Sequence, residues 1–222
     1  MENQLSEKES LELIGRMISS AKNNLQKGTG KIFLFWGYLI IAVSILNLIL
    51  LVMLSGYDKY YSYCAWCIMP MGLIYHYRLV KKINLEGGVK TYTEQVLDYV
   101  WIAFSISVFT IIISMIMASI PALHETESLF SVLEWIHWTF LIPVMLILYG
   151  FALFISGRAY RFIPMVTGSW VCWGMSFLIF LLIRSDYILE IQLIALIVSV
   201  LAGYVVPGHM LRKKENGYVQ GA

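Results

Sequence analysis

Charged side chains are scarce in this chain. Only 14% of its 222 residues are Asp, Glu, Lys or Arg, whereas 59% are hydrophobic. Because about a quarter of the residues in an ordinary soluble domain are charged, this composition excludes a typical soluble globular protein. The formal net charge of +2 is also too small to indicate a nucleic-acid-binding surface. The composition therefore predicts a polytopic membrane protein.

Cysteine and deeply placed ionisable residues are scarce as well. Three cysteines are too few for a disulfide framework. No ionisable residue lies in the central part of any long apolar run, and such residues are the usual mark of proton relays and ion pathways. A proton-driven pump is therefore disfavoured, but a path for an uncharged solute remains open. Neither a phosphate loop nor a haem motif can be read, so no cofactor is expected.

The apolar runs themselves are long. The first, from Lys31 to Ser55, has no charged residue after Lys31. At a rise of about 1.5 Å per residue it is long enough to cross the hydrocarbon core of a bilayer, which is about 30 Å thick. Further runs predict an all-α, polytopic membrane protein with six transmembrane helices and a transmembrane domain over 31–206. The predicted spans are about 31–55, 60–78, 98–120, 138–156, 163–183 and 188–206.

The distribution of positive charge predicts the orientation of these spans. With both ends of the chain in the cytoplasm, fourteen of the sixteen Lys and Arg residues lie in cytoplasmic segments, and only Lys59 and Arg184 lie outside. Cytoplasmic loops of membrane proteins carry such an excess. The expected location is therefore a bacterial cytoplasmic membrane, crossed several times by a chain with both termini inside.

The two ends of the chain are hydrophilic. Residues 1–30 predict a cytosolic amphipathic helix, because Ser6 and Glu9 have capping-box spacing and the apolar residues that follow recur on one helical face. The first residues show no secretory signal, so we expect the N-terminus to be retained. Residues 207–222 predict a cytosolic tail.

Small residues mark two faces on which helices are expected to pack. Since lipid tails are as apolar as leucine, small side chains drive helix association in a bilayer by allowing close approach. One seam lies on the third span and the other on the sixth, and the sequence does not decide whether they join helices of one chain or of two. The few deep polar residues predict interhelical hydrogen bonds. The third-span seam comprises Ala103, Ser107, Thr110, Ser114 and Ala118, the sixth-span seam Ala195, Ser199 and Gly203, and the deep polar residues Ser44, Asn47, Thr167 and Gln192.

Cys64 and Cys67 form the sharpest local motif. Their spacing places both sulfurs on one helical face near the outer end of the second span. Membrane thiol oxidases use such a pair, but they relay electrons from a second pair, and no other predicted outer loop contains cysteine. Two small apolar residues in a buried helix are the more ordinary interpretation.

Two further pairs are candidates for a site. Glu134 and His137 have the spacing that places two metal ligands on one helical face, although no second copy of the motif occurs. Trp170 and Trp173 lie in the middle of the fifth span, where their indole N–H groups need acceptors. They either line a pocket or pack in the core, and core packing is favoured.

Several segments together resemble a known family. They are the sequences FWGY at 35–38, KTYTEQVLDYVWIAF at 90–104, LYGFALFISGRAYRFIP at 148–164 and VVPGHMLRKK at 205–214. They are similar to a family of small bacterial integral membrane proteins with no assigned activity. The resemblance implies a bacterial cytoplasmic membrane and transfers no catalytic residue.

The expected function is non-enzymatic and works through a membrane partner or through self-association as a homo-oligomer within the lipid bilayer. No nucleic acid is expected as a partner. The alternative is a carrier or channel for a small neutral or apolar solute. A third possibility is a membrane thiol-redox enzyme that uses Cys64 and Cys67.

Overall fold

A computed structural model describes residues 28–54, 59–86, 92–125 and 139–220. Within these ranges the chain is almost entirely helical and contains no strand. The α-helices are α1 (Thr29–Met53), α2 (Met69–Glu86), α3 (Tyr92–Glu125), α4 (Leu141–Ala159), α5 (Ile163–Leu181), α6 (Ile188–Val200) and α7 (Val206–Gln220). A 3₁₀ segment (Lys59–Ile68) leads into α2, and a π segment (Leu201–Val205) joins α6 to α7. The predicted N-terminal amphipathic helix lies outside the described residues.

Five of the described helices are long and apolar enough to cross a membrane. They are Thr29–Met53, Tyr92–Met117, Leu141–Ala159, Ile163–Leu181 and Ile188–Glu215. The all-helical prediction and five of the predicted spans therefore have a counterpart in the fold. The predicted span at 60–78 is not among the five, because its first part is a 3₁₀ helix and its α-helix carries Arg78, Lys81 and Lys82.

Helix α1 lies at the centre of the bundle. It contacts the 3₁₀ segment and α2 on one side and α6, the π segment and α7 on the other. Glycines set its distance from α7, because a Cβ atom added to Gly30 would lie 2.9 Å from the backbone nitrogen of Arg212. One added to Gly208 would lie 2.9 Å from the side chain of Leu34. Backbones this close leave no room for larger residues at the crossing.

Helices α4 and α5 form an antiparallel hairpin closed by a Schellman motif. The N–H of Phe162 donates to the carbonyl of Gly157, the N–H of Arg161 donates to the carbonyl of Arg158, and Arg161 has a φ of 51°. These bonds satisfy the last carbonyls of α4. Pro164 then occupies the first turn of α5, where its missing N–H costs no intrahelical bond.

Prolines lie at or near three helix boundaries. Pro70, inside the predicted span at 60–78, lies in the first turn of α2, where its fixed φ suits a helix start. The third helix was expected to stop before Pro121 and continues for one turn to Glu125. The last helix continues past Pro207 to Gln220, since the π segment immediately before it already departs from the i→i−4 hydrogen-bond pattern that this proline interrupts.

Burial is uneven among the five apolar helices. Between 33% and 56% of the residues in the most apolar window of four of them are buried, whereas in the window of Tyr92–Met117 none is. Helix α3 touches the bundle through its first turns, where Leu97 is buried and the ring of Trp101 meets that of Phe33. Between residues 102 and 117, one face of α3 is half-buried and the other is exposed to the surroundings of the bundle.

Candidate functional site

Cys64 and Cys67 lie on the 3₁₀ segment, and both thiols are free and exposed. Residues three apart eclipse one another in a 3₁₀ helix, so the two side chains share one face, as their spacing predicts. They are not the buried small residues of the more ordinary interpretation. The third thiol, Cys172, is buried on α5 with its Sγ 4.0 Å from the carbonyl oxygen of Ser199. It is therefore not exposed as a relay partner for the pair.

The metal hypothesis falls on residues that the structure does not describe. Glu134 and His137 both lie in the range 126–138. Among the described residues, no group of three or more His, Cys, Asp or Glu side chains is arranged to hold a metal ion.

Trp170 and Trp173 are neighbours on α5 with different surroundings. Their rings meet edge to face with centroids 5.3 Å apart. The Trp173 indole N–H donates to the carbonyl of Ile147 on α4 over 3.2 Å, and its ring covers Gly150. Trp170 is 63% exposed. Trp173 therefore packs α5 against α4, whereas Trp170 faces the surroundings of the bundle. The two rings do not enclose a pocket.

An aromatic cluster occupies the interior of the bundle. Tyr204 lies at its centre, and its ring centroid is 5.1 Å from that of Phe33, 5.4 Å from that of Tyr149 and 6.0 Å from that of Trp101. Phe104 completes the cluster against Tyr149 at 4.7 Å. The rings come from α1, α3, α4 and the π segment, so the cluster joins four parts of the fold.

The π segment determines where Tyr204 points. A π turn adds one residue to the helical repeat and so shifts the side chains of that turn around the helix axis. Tyr204 is 5% exposed, and its hydroxyl group hydrogen-bonds to that of Tyr149. Neither the π segment nor this tyrosine pair was predicted. A proline after a small residue in a long apolar run, here Gly203 and Pro207, is the sequence signal that points to it.

The deep polar residues behave in three ways. Gln192 bonds across the bundle, since its Nε2 donates to the carbonyl of Thr139 over 2.7 Å. Ser44 and Thr167 donate to carbonyls of their own helices, at Ile40 and Pro164, so the prediction of interhelical bonds was wrong for these two. A hydroxyl at these positions satisfies itself within the helix.

Asn47 is the exception. It is 1% exposed, and neither its Nδ2 nor its Oδ1 has a hydrogen-bond partner. Five further side-chain atoms are also buried without a partner: the indole nitrogen of Trp66, the Oε1 of Gln192, the Oε2 of Glu190 and the hydroxyls of Ser156 and Ser199. Buried polar groups in proteins are nearly always paired with protein atoms or with water, so Asn47, both of whose polar atoms are unpaired, marks a position where a further molecule is needed.

A second polar cluster lies at the bundle end that holds the start of α1. The N–H of Gly30 donates to Oε1 of Glu215 over 3.1 Å, which places a carboxylate at the positive end of the α1 dipole. Burial raises the pKa of Tyr160, and the charges of Glu94 and Asp98 raise it further, while a hydrogen bond with Thr29 acts in the opposite direction. This cluster ties α1, α3, α7 and the α4–α5 loop together.

Two histidines on flanking helices bond to aromatic residues of α1. The indole N–H of Trp36 donates to Nδ1 of His76 over 3.1 Å, and the hydroxyl of Tyr38 lies 2.7 Å from Nε2 of His209. Both histidines thus have partners on α1.

A surface depression of about 310 Å³ lies on α2. Its lining consists of Tyr77, Val80, Lys81, Asn84 and Leu85. These residues belong to little more than two turns of one helix, so the depression does not enter the bundle.

Comparison of the chain with known protein families, with curated proteins and with solved structures found no match.

Proposed function

We propose that this chain is a six-span protein of a bacterial cytoplasmic membrane, non-enzymatic, that works by associating with a second copy of itself. The observation that carries this proposal is the low burial of α3. In the apolar windows of the other four apolar helices between 33% and 56% of the residues are buried, whereas in that of α3 no residue is buried and one face is exposed.

The sixth span of the proposal is the helix formed by the 3₁₀ segment and α2. It runs antiparallel to α1 along nearly its full length, because Ile83 meets Gly28, His76 meets Trp36 and Gly72 meets Leu39. At about 2.0 Å per residue in the 3₁₀ part and about 1.5 Å in the α part, the combined length is about 47 Å. A helix of this length beside a spanning helix supports a sixth crossing. The charge distribution then supports cytoplasmic ends.

The exposed surface of α3 includes a strip of small residues. At 100° per residue, Ala103, Thr110 and Ser114 fall on one narrow strip, and each is exposed. Trp101, whose ring contacts the bundle, lies about 180° from Thr110. These exposed small residues therefore lie on the side of α3 that faces away from Trp101. A strip of small residues lets an identical strip on a second copy approach closely, which is what drives association where the hydrophobic effect is absent.

Disulfide trapping tests this proposal. In a chain whose native cysteines are replaced by serine, Ser114→Cys should form a covalent dimer in membranes on mild oxidation. Ile116→Cys is the matched control, because residue 116 is also exposed and lies at nearly the same depth but about 200° around the helix. Equal crosslinking at both positions, or at neither, contradicts the proposal.

The carrier of a small neutral solute is the second candidate function. The partnerless polar atoms of Asn47 and Gln192 favour it, because they offer hydrogen bonds without charge in the interior of the bundle. Proteoliposomes should then take up small neutral solutes faster than empty liposomes do. Replacement of Asn47 by leucine should remove the difference, and equal rates for the two preparations contradict this candidate.

A further inference from the structure

Asn47 carries a primary amide that offers two donors and one acceptor, and none of them is used. The residue is buried in the second half of a helix long enough to cross the membrane. Lipid cannot supply the missing partners, because its hydrocarbon region holds no hydrogen-bonding group. Ser44, one turn earlier on the same buried face, has no such need, since its hydroxyl donates to Ile40.

The residues of α6 that lie at the level of Asn47 along the bundle follow from the helix register. Gly37 packs against Tyr204 and Val205, and α1 and α6 run antiparallel. Asn47 lies ten residues after Gly37 on α1, which is about 15 Å at the α-helical rise. Ten residues back along the other helix is Ala195, which is buried. Gln192 and Ser199 lie one turn to either side of Ala195, and each has a buried atom without a partner.

The 3₁₀ segment brings a further group to the same level. Gly72 packs against Leu39, and Asn47 lies eight residues, or about 12 Å, further along α1. Going back from residue 72, three residues of α2 cover about 4.5 Å, and about four residues of 3₁₀ helix at about 2.0 Å each cover the rest. The level of Asn47 is therefore reached at Ala65 and Trp66. Ala65 is buried, and the indole N–H of Trp66 has no partner.

We propose that a small uncharged molecule that both donates and accepts hydrogen bonds occupies this level, between α1, α6 and the 3₁₀ segment. Water is the smallest such molecule, and a solute with a primary amide group has the same chemistry. The site offers donors at Asn47 and Trp66 and acceptors at Asn47 and Gln192. None of these groups carries a charge, so an ion would be desolvated without compensation.

The carboxylate nearest in sequence does not alter this assignment. Glu190 precedes Gln192 by two residues, and two residues correspond to about 200° around the helix axis. Its side chain therefore leaves α6 on the side opposite to that of Gln192, and its Oε2, which is also buried without a partner, lies outside the site. The guest of the site is recognised by hydrogen bonds alone.

Water-edited solid-state NMR of the full-length protein in lipid bilayers tests the proposal. Polarisation should pass rapidly from water protons to the side-chain amide of Asn47 and to the indole N–H of Trp66. The indole of Trp173 is the internal control, because its N–H already donates to Ile147. It should receive no polarisation from water at the same mixing time. Absence of transfer to both Asn47 and Trp66 overturns the proposal.

Acetamide as an added probe distinguishes the two kinds of guest. If the site takes a solute, the signals of Asn47 and Trp66 should shift with acetamide concentration while that of Trp173 does not move. If they do not shift but transfer from water persists, water is the occupant.

Loss of the transfer to Trp66 is expected in Asn47→Leu and not in Ser44→Ala. An unchanged transfer in Asn47→Leu contradicts the assignment. Because the comparison of the two tryptophans uses the unaltered chain, a variant that fails to fold leaves the test intact.

Discussion

The contact between α5 and the π segment leads to a quantitative prediction. A Cβ atom added to Gly168 would lie 2.6 Å from the Cα of Gly203 and 2.8 Å from the carbonyl oxygen of Ala202. Both are backbone atoms, so relief requires that the two helices move apart by about 1 Å to restore ordinary contact distances. Overpacking of this kind costs about 1–3 kcal/mol. The variant Gly168→Ala should therefore lower the free energy of unfolding.

Gly174 supplies the matched control on the same helix. A Cβ atom added there meets nothing within 4 Å, so Gly174→Ala should show only the higher helix propensity of alanine, worth up to about 1 kcal/mol. The same propensity gain acts at Gly168. The difference between the two variants thus isolates the close approach, and we expect Gly168→Ala to be less stable than Gly174→Ala by about 1–3 kcal/mol.

Reversible unfolding by sodium dodecyl sulfate in mixed micelles measures this difference, with helicity followed by circular dichroism. The reasoning is refuted if the two variants are equally stable. In that case the backbones of α5 and the π segment do not approach each other at Gly168.

Three further predictions follow from local features. Arg161 has a left-handed φ of 51°, so Arg161→Gly should raise the free energy of unfolding by up to about 1 kcal/mol in the same assay. Burial raises the pKa of Tyr160, so the folded state favours the neutral phenol. This stabilisation is complete below the unfolded pKa of about 10 and is lost as the pH rises through the folded pKa. Over that alkaline range the melting temperature of Tyr160→Phe should fall less than that of the unaltered chain. In a chain whose native cysteines are replaced by serine, a membrane-impermeant maleimide applied to intact cells should label Lys59→Cys, at the predicted outer end of the second span, and spare Lys214→Cys in the predicted cytosolic tail; labelling of Lys59→Cys only after lysis would contradict the proposed orientation.

The helical segments could be predicted from the sequence because their signals are local. The apolar runs from Lys31 and from Ile163, for example, begin close to the observed starts of α1 and α5. The short loop between Ala159 and Ile163 was likewise expected, since Arg158 and Arg161 separate two apolar runs. The predicted ends were less accurate at Pro121 and Pro207, because whether a helix tolerates proline depends on what its neighbours do with the unpaired carbonyl.

The candidate site was only partly predictable. Asn47 and Gln192 stood out as polar residues in apolar runs, but the sequence predicted that both would bond across helices. Gln192 does so and Asn47 does not. Trp66 gave no local signal, whereas the π segment that places Tyr204 had one in Gly203 and Pro207 that the prediction did not use. The 3₁₀ segment packs against α1 and the π segment against α5, and contacts of this kind cannot be read from neighbouring residues.

The sequence by itself determined that this chain is helical and where it is apolar enough for lipid, since both properties depend on residues close together along the chain. Only the tertiary structure decided that the seam at Ala195, Ser199 and Gly203 is buried while Ala103, Thr110 and Ser114 of the seam on α3 are exposed. The physical reason is that lipid and the interior of a helical bundle are equally apolar. A face made of small residues therefore suits either, and only the pairing of whole helices determines which of them it meets.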